Sequence, residues 1–231
     1  LFNDVDVLVP RAQLGEAESA LLLAGWHASG VSAYDERYYR RWMHEIPPLR
    51  HVRRSSMLDL HHAILPDTAR HPPATATLLE RIEPVADLPG VFVLGREDRI
   101  LHSAIHLFHD GELPHGLRDL SDLDLLLTAP DNPEDFWPSL LARARELKQE
   151  RALYYALRYA RHFLATPVPD ETWRALAAAP PHGVRLRLAD NVFRRVLAPN
   201  HSSCDDRWSD LARLAVYVRA HWLRMPAHLL L

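Results

Sequence analysis

Asn3-Asp4-Val5-Asp6-Val7-Leu8-Val9 alternates acids with β-branched residues, and Pro10 ends the run. A period of two predicts a strand with Asp4 and Asp6 on one face and Val5, Val7 and Val9 on the other. The valine face is suited to packing on a helix. On the opposite face two carboxylates converge and raise each other's pKa unless a cation separates them; hard oxygen donors favour Mg²⁺ or Mn²⁺. The plainer reading is an edge strand with solvated aspartates.

Met57 to Ile64 forms the second clear strand. Leu58 and Leu60 are expected to face the core, with Asp59 and His61 opposite. Three carboxylates on neighbouring strands make the set that two-metal phosphoryl transfer requires. Between these strands, Pro10 opens a helix to about Ala24, and Gly25 stops it. Trp26 to Ala33 and Leu49 to Val52 are weaker strand candidates, and a further helix is expected over 74–82. From about Glu97 the period becomes 3.6, with helices near 97–109, 117–128, 133–147, 150–164, 170–178, 184–197 and 206–224, broken by prolines. The fold class is therefore α+β. A small mixed β-sheet domain over residues 1–90 is followed by an α-helical bundle over 91–231.

Composition narrows the chemistry. The 231 residues are 48% hydrophobic and 25% charged, as in a globular chain. With 27 basic and 30 acidic residues the net charge is −3, which gives no broad positive field for non-specific nucleic-acid binding. Cys204 is the single cysteine, so an internal disulfide is excluded and a reducing, cytoplasmic compartment is expected. No apolar run is long enough to span a membrane. Lys148 is the only lysine, the 8 glycines are scattered, and no GxSxG occurs. A phosphate-loop fold, a dinucleotide fold and the usual serine-hydrolase elbow are thereby excluded.

Other residues suggest sites. Arginines 37, 40, 41, 50, 53 and 54 interleave with Tyr38, Tyr39, Trp42 and His51. Guanidinium forks suit phosphate and aromatic faces suit a base, though a surface hairpin would carry the same residues. His102, His106 and His109 fall at i, i+4 and i+7 on one helix, which with Asp122 suggests a transition-metal site. Tyr154, Tyr155, Tyr159 and Phe163 recur at helical spacing as bundle core.

The pattern Asp4-Val5-Asp6-Val7-Leu8-Val9, a helix, the pair Gly25-Trp26 and a later strand reading Asp59-Leu60-His61 resembles the uncharacterised nucleotidyltransferase family of the DNA polymerase β-like superfamily. Leu101 to His106 with Leu117 to Leu123, and the ending Tyr217 to Pro226, are similar to helical segments of that family. The resemblance implies that Asp4 and Asp6 are metal ligands and that Asp59 is the third carboxylate and general base. It also implies Mg²⁺ or Mn²⁺ as cofactor and transfer of an NMP group from NTP to an unknown hydroxyl acceptor on a protein, small molecule or RNA. No membrane partner is expected. Members of the family carry a helix and a glycine turn before this strand, whereas only Leu1, Phe2 and Asn3 precede it here. The first elements of the domain are accordingly expected to be missing, through a truncated N-terminus or in an incomplete enzyme. Two other readings stay open: a non-catalytic nucleotide- or partner-binding module with a degenerate fold, and a metal hydrolase centred on His102, His106 and Asp122.

Overall fold

Alternating burial along Met57–His61 sets the first layer: Leu58 and Leu60 are buried, while Met57, Asp59 and His61 between them are not. In the computed structural model, which describes residues 5–28, 30–54 and 56–225, this segment is strand β4. It lies beside β1 (Asp6–Leu8) and β3 (Leu49–His51), and β2 (Trp26–Ala28) completes a sheet of order β1-β4-β3-β2. β1 runs parallel to β4, and the other pairs are antiparallel, so the sheet is mixed as expected. The chain divides into two units after Arg81.

The first unit packs one face of this sheet. Ile46, Leu49, Leu58 and Leu60 are buried, with Val7, Val9 and Trp26 against them. Leu14, Ala17 and Leu21 of helix α1 (Leu14–Leu23) cover the same cluster, which fits their near-helical spacing. Gly25 turns the chain from α1 into β2 with φ of +93°, where a side chain is strained. An added Cβ would also sit 3.1 Å from Val52 Cγ2.

One segment departs from the sequence reading. Residues after Ser32 form helix α2 (Ala33–Trp42), not the end of a strand followed by a hairpin. The cause is local: Ser32 and Asp35 make a reciprocal capping box, and Asp35 and Glu36 occupy the positive end of the helix. Arg40 then ties α2 to α1 through Glu18 at 2.6 Å and also pairs with Glu36 at 2.7 Å. A short helix α3 (Thr75–Leu79) lies where one was expected.

The second unit opens with an antiparallel pair, β5 (Ile82–Pro84) and β6 (Phe92–Leu94), which periodicity did not reveal because each strand is only three residues long. Helices follow at α4 (Arg96–His109), α5 (Gly116–Leu127), α6 (Phe136–Glu146), α7 (Glu150–Leu164), α8 (Asp170–Ala175), α9 (Val184–Val196) and α10 (Ser209–Arg224). They lie close to the seven expected. Phe108, Tyr155, Tyr159 and Phe193 form an aromatic centre with ring centroids 5.2–6.1 Å apart. Tyr154 is buried as well, whereas Phe163 is half-buried. Among the described residues no helix is long and apolar enough to cross a membrane.

A buried ion pair and a buried histidine stand out among the polar groups embedded in this bundle. The Asp98 carboxylate receives two 2.6 Å hydrogen bonds from Arg143, and each side chain is only 1% exposed. Forming such a pair roughly cancels desolvation against attraction, but removing one partner strands a buried charge. Asp98→Ala is therefore expected to destabilise the protein by about 3–5 kcal/mol in urea denaturation. Asp131→Ala, which breaks the exposed pair with Arg96, is expected to leave the midpoint nearly unchanged.

His109 is the second. Its Nδ1 lies 3.0 Å from the Ile105 carbonyl, and burial pushes its pKa down to about 4, with the Arg219 and Arg224 charges acting in the same direction. The folded state thus resists protonation that the unfolded chain accepts. Its contribution is full above about pH 6.5 and is lost as pH falls toward 4, on the order of 3 kcal/mol in all. Urea titrations at pH 7, 6 and 5 are expected to show a steeper loss of stability for the wild type than for His109→Asn.

Candidate active site

Parallel pairing of β1 with β4 puts Asp6 directly opposite Asp59. Neighbouring strands lie about 4.8 Å apart, so the two side chains leave the sheet on the same face, opposite the Leu58 and Leu60 core. His61, two residues beyond Asp59, shares that face. Asp4 lies outside the described residues.

A fourth group arrives from a segment the sequence did not single out. Glu45 forms a bridge with His61, and Ile46 N donates to the Leu60 carbonyl at 3.1 Å. Continuing the β3–β4 register, Leu49 to Leu58 and Arg50 to Met57, would instead set Ile46 opposite His61. The pairing slips by one residue across Pro47-Pro48, neither of which has an N–H to donate. The slip turns Ile46 into the core, where it is 1% exposed, and Glu45 toward His61.

His61 Nε2 stands at the junction, 3.2 Å from Asp6 Oδ1 and 3.4 Å from Glu45 Oε2. Burial alone would lower its pKa. The hydrogen bond to Asp6 and the charges of Glu45, Asp6 and Asp59 outweigh that, and the pKa is raised. Exposure grades across the set: the His61 and Glu45 side chains are 18% and 17% exposed, and Asp6 is 65% exposed at the open edge. The His44 ring lies 5.3 Å from that of His61. His44, Glu45 and His61 each offer a ligand atom within 4.8 Å of the others. Tyr39 of α2 borders the same region; burial and then the charges of Glu45 and Asp59 raise its phenol pKa.

His44 and Glu45 were not legible as site residues, and Tyr39 was read only as one of the aromatic faces among the arginines, not as a neighbour of the acids. Pro47-Pro48 interrupts the alternation that would have assigned Glu45 a face, and the Ser32-x-x-Asp35 cap was the available sign that Tyr39 lies on a helix. Part of the arginine cluster has other partners. Arg40 is bound by Glu18 and Glu36, Arg41 lies over the Trp42 ring at 5.0 Å, and Arg50, Arg53 and Arg54 are exposed.

The histidine-rich helix does not assemble the expected hydrolase site. Among the described residues, the His44, Glu45 and His61 set is the one with three donors in ligand reach; His102, His106 and Asp122 are not such a set. The stripe exists, with His102 and His106 ring centroids 6.3 Å apart, but Asp122 is exposed on α5 and His109 is turned to the Ile105 carbonyl. Asp110 pairs instead with Arg224 at 3.2 Å.

Comparison with known proteins bears on the acid-bearing sheet. No curated protein and no solved structure matches the chain. A protein family described as uncharacterised nucleotidyltransferase matches residues 1–165, from the N-terminus to just past α7; the similarity read in Tyr217 to Pro226 lies beyond that span. With 165 of 231 residues matched, the chain belongs to this uncharacterised nucleotidyltransferase family.

Proposed function

We propose that the chain transfers an NMP group from NTP to a hydroxyl acceptor, with Asp4, Asp6 and Asp59 as the metal-binding carboxylates. The register pairing of Asp6 with Asp59 carries this reading, because it brings acids from separate strands onto one face. The donors fit a hard divalent cation: carboxylate oxygens suit Mg²⁺ or Mn²⁺, and the neighbouring imidazoles of His44 and His61 suit Mn²⁺ better than Mg²⁺. When bound, such an ion supplies charge neutralisation for the triphosphate and for the leaving oxygen.

The chain's own residues have distinct tasks in this reading. Asp6, at the open edge, takes the exposed position and Asp59 the deeper one. Asp59 accepts the proton of the incoming hydroxyl. His61 Nε2 orients Asp6 through their 3.2 Å contact, and Glu45 Oε2, 3.4 Å from the same nitrogen, helps to hold the ring. Tyr39 closes one flank with an aromatic surface.

The same contact favours a second reading. An imidazole already beside Asp6 and Glu45 compensates part of their charge without a metal, as a non-catalytic module would need. One experiment separates the two: incubation with α-labelled NTPs and Mg²⁺ or Mn²⁺, followed by measurement of label on protein, RNA and small-molecule fractions. Transfer is expected in the wild type, reduced on the order of 100-fold or more in Asp6→Asn, Asp59→Asn and the Asp4→Ala/Asp6→Ala double variant. NTP binding without transfer would favour the module, and transfer unaffected by these changes would remove the carboxylates from the mechanism.

A further inference from the structure

An open cavity lies wholly within the helical unit, between α7, α8 and α9. It measures about 420 Å³, and Arg158, Tyr159, Arg161, His162, Trp173 and Arg194 line it. That volume falls in the range of small-molecule sites, but three of the six lining residues are arginines where such sites are usually apolar.

Helical geometry concentrates the charge. Arg158, Arg161 and His162 fall at i, i+3 and i+4 on α7 and so project along one stripe. Arg194 is added from α9, and Trp173 from α8 stands under the Arg161 guanidinium, 5.8 Å from its ring centroid. Asp190 is the nearby acid. It takes two hydrogen bonds from Arg158, at 2.7 and 2.6 Å, and one from the Tyr159 hydroxyl at 3.3 Å. Its hydrogen bonds thus go to Arg158 and Tyr159, and its charge also acts on Arg194. Arg161 and Arg194 are exposed and have no ion-pair partner among the described residues.

A purely structural task for these arginines is to offset the negative ends of α7 and α9, since both lie in last turns. Each helix end amounts to about half a negative charge. Counting both ends and Asp190 against three guanidinia still leaves the cavity positive by about one charge. Its donors are mainly forks, the geometry that matches phosphate oxygens bidentately. The Trp173 indole Nε1 adds a buried donor that makes no hydrogen bond among the described residues.

We infer that this cavity binds a phosphate-bearing small molecule, gripped by Arg161 and Arg194, at a site separate from the acidic sheet. The strand carboxylates repel an anion, whereas this pocket attracts one without any metal. Two free guanidinium forks beside one indole suit a compact phosphate ester or polyphosphate, since a nucleic-acid strand is held by a longer row of cations.

The test uses the full chain, inorganic tripolyphosphate and isothermal titration in EDTA at low ionic strength. Saturable one-to-one binding is expected. Arg161→Gln/Arg194→Gln is expected to weaken it at least about tenfold, whereas Arg145→Gln/Arg185→Gln, an equal loss of exposed charge elsewhere, leaves it unchanged. Asp6→Asn/Asp59→Asn also leaves it unchanged, which keeps the result independent of the nucleotidyl-transfer reading. Circular dichroism checks each variant for folding, and single Arg194→Gln serves if the double fails. Equal weakening by both arginine doubles, no saturable binding, or dependence on Arg161 and Arg194 seen only with a single-stranded RNA oligonucleotide would overturn the inference.

Discussion

Parallel pairing of a short edge strand with its neighbour is the constraint on which the acidic face depends. Besides the bonds within the paired residues themselves, Val5 N donates to the Met57 carbonyl at 3.2 Å, Asp59 N to the Val5 carbonyl at 3.0 Å and Val9 N to the His61 carbonyl at 3.0 Å. Side chains alternate with a period of two, so moving β1 by one residue would send Asp6 toward Leu60 and a valine toward Asp59. Burial of Val7 and Val9 against Leu58, Leu60 and α1 resists that slip. The apolar face therefore fixes where the polar face brings its charges, and packing energy is converted into carboxylate proximity.

The two units handle buried charge differently. In the helical unit the buried Asp98 carboxylate is matched by Arg143, which also reaches the partly exposed Glu146 at 3.0 Å, so every charge in the group is paired. In the sheet unit Asp6 and Glu45 meet at His61, Asp59 pairs in register with Asp6, and Asp6 is open to solvent. An unequal, half-exposed cluster of this kind resembles a functional site more than a structural ion pair.

Much of this was legible where periodicity is long or burial strictly one-sided. The alternation in Val5 to Val9 and in Met57 to His61 reads directly as strands with an apolar and an acidic face, although Val5 is 53% exposed and only Val7 and Val9 reach the core, and the helices of the second unit follow from a sustained 3.6 period. The parallel sense and the Asp6–Asp59 register are not written in either segment alone, since they arise from long-range pairing across the intervening chain. Helix α2 was obscured because Tyr38-Tyr39-Arg40-Arg41-Trp42 has aromatic residues that favour strands, and the capping box at Ser32 outweighed that tendency. His102, His106 and His109 shared a stripe as expected, yet a stripe on one helix says nothing about what a second element brings to meet it.

The diproline at 47 and 48 has an effect beyond ending a ladder. Strand alternation is a parity, and an unbroken β3 edge would place Glu45 on the oily side and Ile46 on the acidic side. By shifting the phase between two stretches that pair with the same strand, Pro47-Pro48 lets Leu49 and Ile46 both serve the interior while Glu45 is delivered to the charged surface. Chain length at this point is therefore a coding variable: adding or removing one residue between Glu45 and Leu49 exchanges an acid for an aliphatic group without altering any side chain.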